Sequence, residues 1–430
     1  MMMTFKPALV CFLIAFGVPA IGAPTYIHAG RLVDVPGKPV RGASTIVVDS
    51  ERIVSIADGH QPVPPGAQMV DLRDKTVLPG LIDSHVHLAT DQGGEARLVR
   101  EMRDEPGLHA LEAQWNGMKT LRAGFTTVRN LGDDGGITLA LREAIRRGWV
   151  QGPRIVDAAS SISTTGGHMD GRGALNDVLV AHLPDPENLC DSAESCRRTV
   201  RRQIDRGADV IKFATTGGVN SGTGLATRML EEEARALVET AHRYGRKVAV
   251  HAHGADGITL ALKAGADSIE HGTVMDDEIV KTMRTKGTYY VPTLSTVNGY
   301  LERLAKDPNA YTGAVKTQID WRIGITGQSL AKAYPAGVRI AFGTDAGVSK
   351  HGRNADEFEL MVKYGMPAIE AIKAATVNAA DLLGLASEIG TIEPGKSADI
   401  IAVAGDPLAD VTKLKSIDFV MARGEVVKGR

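Results

Sequence analysis

The sequence predicts an α/β protein: a (β/α)8 TIM barrel joined to a small β-sandwich that both termini build. Three observations predict it. β-rich segments occupy both ends of the chain, eight strand-then-helix units run in series between them, and histidines with an aspartate collect where those strands stop. Eight such units form a closed parallel barrel, whose chemistry gathers at the C-terminal ends of its strands. At 430 residues the chain has room for one barrel and a smaller domain.

Residues 1–23 differ from the rest. Lys6 is followed by the apolar run Ala8–Val18, then by Ile21-Gly22-Ala23 and Pro24. The run is shorter than the roughly 20 residues a spanning helix needs, and small residues follow it, so it reads as a signal peptide cleaved near Ala23. Export to the periplasm or beyond is therefore expected, with no membrane anchor left afterwards. Residues 24–75 read as short β-branched strands between turns: Arg31–Asp34, Ser44–Asp49 and Arg52–Ile56. The last segment, 385–430, returns to that style with Asp399–Val403, Ile417–Ala422 and Glu425–Val427. These two ends are expected to form the sandwich, with the barrel spanning 76–384.

The expected barrel strands are Thr76–His87, Thr126–Leu131, Pro153–Ala158, Asp209–Ala214, Lys247–His253, Asp267–His271, Tyr289–Leu294 and Val338–Gly343. Amphipathic helices such as Leu139–Arg147, Glu231–Tyr244 and Asp277–Arg284 lie between them. Several units close on a basic residue and then Gly148, Gly207 or Gly287, which is helix-stop chemistry. The count alone also admits an open doubly wound sheet. The Gly-rich loops at 165–168 and 216–224 carry no phosphate-binding fingerprint leading into a helix, which counts against a nucleotide fold.

Composition narrows the function. A net charge of −2, only 4% aromatic residues and no basic run interleaved with aromatics argue against nucleic acid as a partner. Cys190 and Cys196 remain after Cys11 leaves with the signal. In an oxidising compartment they form a short disulfide, or they stay unpaired; no neighbouring His suggests a metal site there.

The polar residues at the strand ends carry the chemistry. His85 and His87 are two apart on a strand and so share a face. Lys212 interrupts the apolar strand Val210–Ala214. His251-Ala-His253, Glu270-His271 and Thr344-Asp345 close three further units. Singly, each has a plain structural explanation: a hydrogen-bonded histidine, a snorkelling lysine, a helix cap. Together at one rim they describe a metal site, and imidazole with carboxylate suits zinc. A buried lysine loses its charge readily and becomes nucleophilic.

The motifs Pro79–His87, Val250–Gly254, Ile269–Gly272, Gly343–Gly347 and Gly390–Ile400 together resemble the metal-dependent amidohydrolase superfamily over essentially the whole chain. Lys212–Gly218 and Thr165–His168 look most like its Xaa-Pro-dipeptidase-like and imidazolonepropionase-like branch, whose exported members are similar to bacterial carboxypeptidases and ochratoxin-hydrolysing amidohydrolases. The resemblance implies two divalent metal ions, most often zinc. His85, His87 and Asp345 would hold one, His251 and His271 the second, and Lys212, as a carbamate made from carbon dioxide, would bridge them. It also implies Asp345 as the proton shuttle and His168, His253 and Asn220 as substrate contacts. The substrate would be a small amide: an N-acyl amino acid, a dipeptide or an ochratoxin-like compound. A cyclic-amide hydrolase is the alternative, and export counts against it. A homo-oligomer, an octamer among the sizes, is the implied assembly.

Overall fold

The computed structural model describes residues 23–91, 95–133, 135–184, 186–221 and 223–429. The expected signal peptide lies outside these, Ala23 excepted. No helix among the described residues is long and apolar enough to cross a membrane.

The strands are, in chain order, β1 (Thr25–Leu32), β2 (Ser44–Asp49), β3 (Arg52–Asp58), β4 (Gln68–Pro79), β5 (Leu81–Val86), β6 (Phe125–Asn130), β7 (Arg154–Asp157), β8 (Val210–Ala214), β9 (Lys247–Ala252), β10 (Ser268–His271), β11 (Tyr289–Val291), β12 (Ile400–Ala404), β13 (Ile417–Ala422) and β14 (Glu425–Lys428). Both ends of the chain join in one sheet of order β14-β13-β12-β4-β1-β2-β3. Two stacked sheets were the expectation. The ladder is instead continuous, and its edge strand β3 folds back to bond the approach to β12, Ile53 donating to the Lys396 carbonyl at 2.9 Å. That curl lets Ile27, Ile46, Val48, Ile400 and Phe419 share one core.

The remaining strands form two parallel sheets, β5-β6-β7 and β8-β9-β10-β11. Their edges are tied by Ile162, which donates to Lys212 O at 2.8 Å and accepts from Ala214 at 3.1 Å. All six residues of β5 and of β6, and all five of β8, are buried, as befits parallel strands covered on both faces. Phe125, Phe342 and Phe358 stack beneath them, with ring centroids 4.4 Å apart for Phe342 and Phe358. Each such fully buried ring contributes roughly 2–3 kcal/mol.

Two expected strands differ. The run Thr76–His87 is broken at Gly80. Up to Pro79 the chain pairs with β12 in the curled sheet, and from Leu81 it pairs with β6. A β-carbon at Gly80 would lie 2.2 Å from the Thr126 hydroxyl, so the crossing between sheets requires glycine. The expected last strand, Val338–Gly343, is no ladder. It makes one bridge to β11 (Tyr290 with Ile340), and Phe342 turns its N–H to the Ala374 carbonyl at 3.0 Å. With that donor diverted, the segment keeps two hydrogen bonds to β11 (Tyr290 N to Arg339 O at 2.8 Å and Ala341 N to Tyr290 O at 3.0 Å) and one to β5, Ser84 N to Phe342 O at 2.8 Å.

The expected helices form at Ile137–Arg146, Glu231–Arg243 and Asp277–Lys286; Gly148 and Gly287 adopt the positive φ that ends the first and third, and Gly207 does the same for the helix Ala193–Asp205. A further pair, Thr296–Lys306 and Gly313–Gly324, packs Val297, Tyr300, Tyr311 and Ile319 against Val219 in the loop after β8.

Candidate metal centre

The C-terminal ends of the parallel strands bring the predicted residues together. His85 closes β5 and His87 follows it; His251 lies in β9, His271 ends β10, and Asp345 follows the extended segment at 338–343. Asp345 Oδ1 stands 3.5 Å from His85 Nε2 and 3.4 Å from His87 Nε2. The rings of His85 and His271 are 5.0 Å apart, and those of His271 and His251 4.6 Å. Two sets of possible ligand atoms lie within 4.8 Å of one another: His85, His271 and Asp345, and His251, His253 and His271. His253 thus stands among the expected ligands rather than apart from them. His168 was expected at a strand end. It sits in the loop 11 residues beyond β7 and stacks on His251 with centroids 4.3 Å apart. A β-carbon on Gly218 would strike the His168 ring at 2.1 Å, so that glycine is needed for the approach. Asn220 is half-buried, and its side chain makes no hydrogen bond among the described residues.

Outer partners aim each imidazole. Carbonyls and carboxylates only accept, so the proton sits on the nitrogen that faces them. His85 Nδ1 donates to Glu270 Oε2 at 2.8 Å, and His87 Nδ1 donates to the Gly132 carbonyl at 2.9 Å. Both leave Nε2 free toward Asp345. His251 donates from Nε2 to the Gly217 carbonyl at 3.2 Å, which leaves Nδ1 as its free nitrogen. His271 and His253 each bond a threonine hydroxyl through Nδ1, Thr293 and Thr273, both at 2.7 Å. Such outer hydrogen bonds orient the ring and raise its basicity as a ligand.

Sequence reasoning placed Glu270 at a strand end without a role and passed over Arg129. Glu270 is fully buried and accepts from Arg129 Nη2 at 2.8 Å and from Ser268 Oγ at 2.5 Å. Arg129 stands beside Thr126, Thr127 and Asn130 in β6, so it gave no signal like that of Lys212 in the apolar β8. Backbone strain also collects here. Of the six non-glycine residues with positive φ among the described ones, His271, Thr293 and Asp345 belong to this site. Each such conformation costs about 1–3 kcal/mol and is held by its surroundings.

The electrostatics suit cations. Burial is the first cause lowering the pKa of every histidine in the cluster, with His87 at about 3, His168 at about 4, and His85, His251, His253 and His271 well below the usual value. Neutral imidazoles offer lone pairs. Burial also lowers the Lys212 ammonium and raises the Asp345 carboxyl. Lys212 Nζ is buried without a hydrogen-bond partner, the one polar atom of the cluster left so. Neutral imidazole nitrogens and a carboxylate are a donor set that fits divalent cations. A cavity of about 340 Å³ lies elsewhere, at the starts of β9 and β11 among Lys247, Asp267, Arg339 and Asp381, and holds none of these groups.

Residues 76–427 match the model of the Amidohydrolase family. The chain is 31% identical to ochratoxinase of Aspergillus niger, over 94% of its own length and 87% of that protein. It is 24% identical to imidazolonepropionase of Fusobacterium nucleatum subsp. nucleatum, over 83% of each. A crystal structure of a Xaa-Pro dipeptidase with bound methionine in the active site superposes with a TM-score of 0.89 at 41% identity, covering 95% of this chain and 100% of that one.

Proposed function

The chain belongs to the amidohydrolase family and is a hydrolase of amide C–N bonds, and from that premise we propose that it is an exported, two-metal enzyme cleaving N-acyl amino acids, dipeptides or ochratoxin-like amides. The convergence of His85, His87, His251, His271, Asp345 and Lys212 carries this reading. Names of the similar proteins point the same way: a dipeptidase, and an enzyme named for ochratoxin. We read the two parallel sheets and the segment 338–346 as eight staves of one (β/α)8 barrel, with 24–75 and 385–430 as the second domain. The hydrogen bonds through Ile162, Tyr290 and Ser84 support that closure. The apolar N-terminus and the Cys190–Cys196 disulfide support export.

His85, His87 and Asp345 would hold one ion and His251 and His271 the other, with His253 beside them. The ions would most often be zinc, and they would acidify a water and polarise the amide carbonyl. Lys212, neutral in its buried strand, would add its amine to carbon dioxide and lose one proton, and the carbamate would offer the ions anionic oxygens in place of the orphaned amine. Asp345, between His85 and His87, is placed to accept the attacking water's proton and return it to the departing nitrogen, which leaves poorly until protonated. His168 and His253 would meet the substrate's carbonyl and carboxylate.

The test is a panel of N-acyl amino acids, dipeptides and ochratoxin A, run on protein of known metal content. Two metals per chain and release of free amino acid are expected. Asp345→Asn should fold and lose at least about 100-fold in kcat, the size of a general acid–base contribution. Fewer than one metal per chain, or full turnover in that variant, would refute the proposal.

A further inference from the structure

His168 differs from its neighbours in how it is held. The rings of His85, His87, His253 and His271 are each fixed by a hydrogen bond of 2.7–2.9 Å. His168 Nδ1 meets only the Ser221 hydroxyl, at 3.4 Å, beyond the usual hydrogen-bond length. Its stacking on His251 is therefore set by the backbone that carries it. That backbone is loop, with no helix or strand between Asp157 and Gly171.

A strip of chain at 188–191 grips this loop on both sides of His168. Before it, the Ser163 N–H donates to the Asn188 carbonyl at 3.1 Å, and the Ser163 carbonyl accepts from the Cys190 N–H at 2.9 Å, making a single parallel bridge with Leu189. Asp191 accepts from the Thr165 N–H at 2.8 Å and from the Thr165 hydroxyl at 2.7 Å. After it, Asn188 Nδ2 donates to the Met169 carbonyl at 3.0 Å and also to the Ser161 carbonyl at 2.8 Å. One amide thus spans the loop from end to end.

The strip is irregular too, and what steadies it is the helix Ala193–Asp205. Cys190 is disulfide-bonded to Cys196, a fully buried residue of that helix, which packs in the main core with Val200. The ring so closed runs through Ser192, the residue that caps the helix start, and a cross-link of this kind removes freedom from the residues inside it. Apart from the disulfide, the Asp191 N–H reaches Ser195 Oγ at 3.1 Å and the Thr199 hydroxyl reaches the Leu189 carbonyl at 3.4 Å. The path from core to site is continuous: helix, disulfide, strip, loop, His168, His251.

We infer that Asn188 and Asp191 are positioning residues for His168 and that the Cys190–Cys196 disulfide sets them in place, so that the fit of substrate at the centre depends on a bond outside it. This rests on the reading of His168 as a substrate contact. The effect is confined to that contact. Ile162, at the head of the loop, stays bonded to Lys212 and Ala214 of β8, so loosening the strip frees His168 and leaves Lys212 and the other expected ligands where they are.

The experiment uses Asn188→Asp, which keeps the shape of the side chain but removes its donors, and Cys190→Ser/Cys196→Ser, each alone and combined with His168→Ala. In metal-loaded protein, kcat/KM is measured on ochratoxin A and on the panel amide cleaved fastest. Each change should lower it about 10-fold or more, since a misplacement of about 1 Å can cost about 100-fold. With His168 already removed, the same changes should cost no more than about 2-fold, the scatter between independent sites. Melting losses should be equal in the two backgrounds, and metal content should match the wild type throughout. An equal fall of kcat/KM in both backgrounds would make the strip merely structural and overturn the inference. Wild-type kcat/KM in the disulfide-free chain, or loss of metal, would overturn it too. Hydrogen exchange read by mass spectrometry needs no turnover: peptides covering 163–170 should exchange faster in both variants, and those covering β9 and β10 at the wild-type rate. Unchanged exchange at 163–170 would refute the grip, and this readout decides where His168→Ala leaves no measurable rate. If one variant does not fold, the other carries the same comparisons. Should the wild type cleave no amide at all, the hydrolase reading fails, a result distinct from these, and exchange still tells whether the strip holds the loop.

Discussion

Removing the cation behind His85 is the most demanding check on the site. Arg129 is 2% exposed and makes three hydrogen bonds: Nε to Ser84 O at 2.6 Å, Nη1 to Ser268 Oγ at 3.1 Å, and Nη2 to Glu270 Oε1 at 2.8 Å. In Arg129→Met the fully buried Glu270 loses its counter-ion, and breaking a buried pair costs about 3–5 kcal/mol. Unfolding entropy of about 2.1 cal/mol/K per residue gives roughly 0.9 kcal/mol per degree for this chain, so the melting temperature should fall by about 3–6 °C. The lone carboxylate would also favour a proton on His85, and an imidazolium binds no metal, so zinc affinity should fall about 10- to 100-fold. Adding Glu270→Leu removes the stranded charge and should restore most of the stability. It should not restore zinc affinity, because His85 then lacks the acceptor that orients it. Scanning calorimetry of the two single variants and the double variant, with zinc competition against a chromophoric chelator, reads both effects. Strictly additive melting losses, or wild-type zinc affinity in the double variant, would refute this account of His85.

Lys212→Ala should lose activity and regain part of it when a short carboxylic acid is supplied to stand in for the carbamate; full turnover in the unsupplemented variant would end the bridging role. Cys190 and Cys196 form a disulfide six positions apart, and opening so short a loop should cost about 2 kcal/mol. A Cys190→Ser/Cys196→Ser chain that melts with the wild type would contradict that. Burial, with Asp133 nearby, lifts the Asp157 carboxyl at the end of β7 to about 7. Between pH 4 and 7 the folded chain then binds more protons there than the unfolded one, so this group's contribution to stability falls as pH rises. Asp157→Asn should melt with the wild type near pH 4 and above it at pH 8. An identical pH profile in the two proteins would show that Asp157 is not raised.

Much of this molecule was legible in its sequence, because local rules act locally. The β-branched runs became strands, the glycines after basic residues ended helices, and His85 and His87 came to one rim because neighbouring strand residues alternate faces. Lys212 was visible as a charge inside an apolar strand, whereas Arg129, beside Thr126, Thr127 and Asn130, was not. Tertiary structure decided what depends on distant partners. Gly80 breaks one apparent strand because Thr126 lies against it, and the last expected strand makes no ladder because Phe342 bonds Ala374 instead. The loop after β7 carries His168 onto His251, and the helix Gly313–Gly324 sets Arg322 against the Thr293 carbonyl. Periodicity reports which way a side chain points from its own backbone. It says nothing of which charge, far along the chain, will be there to meet it, since that depends on packing between segments the local pattern does not relate.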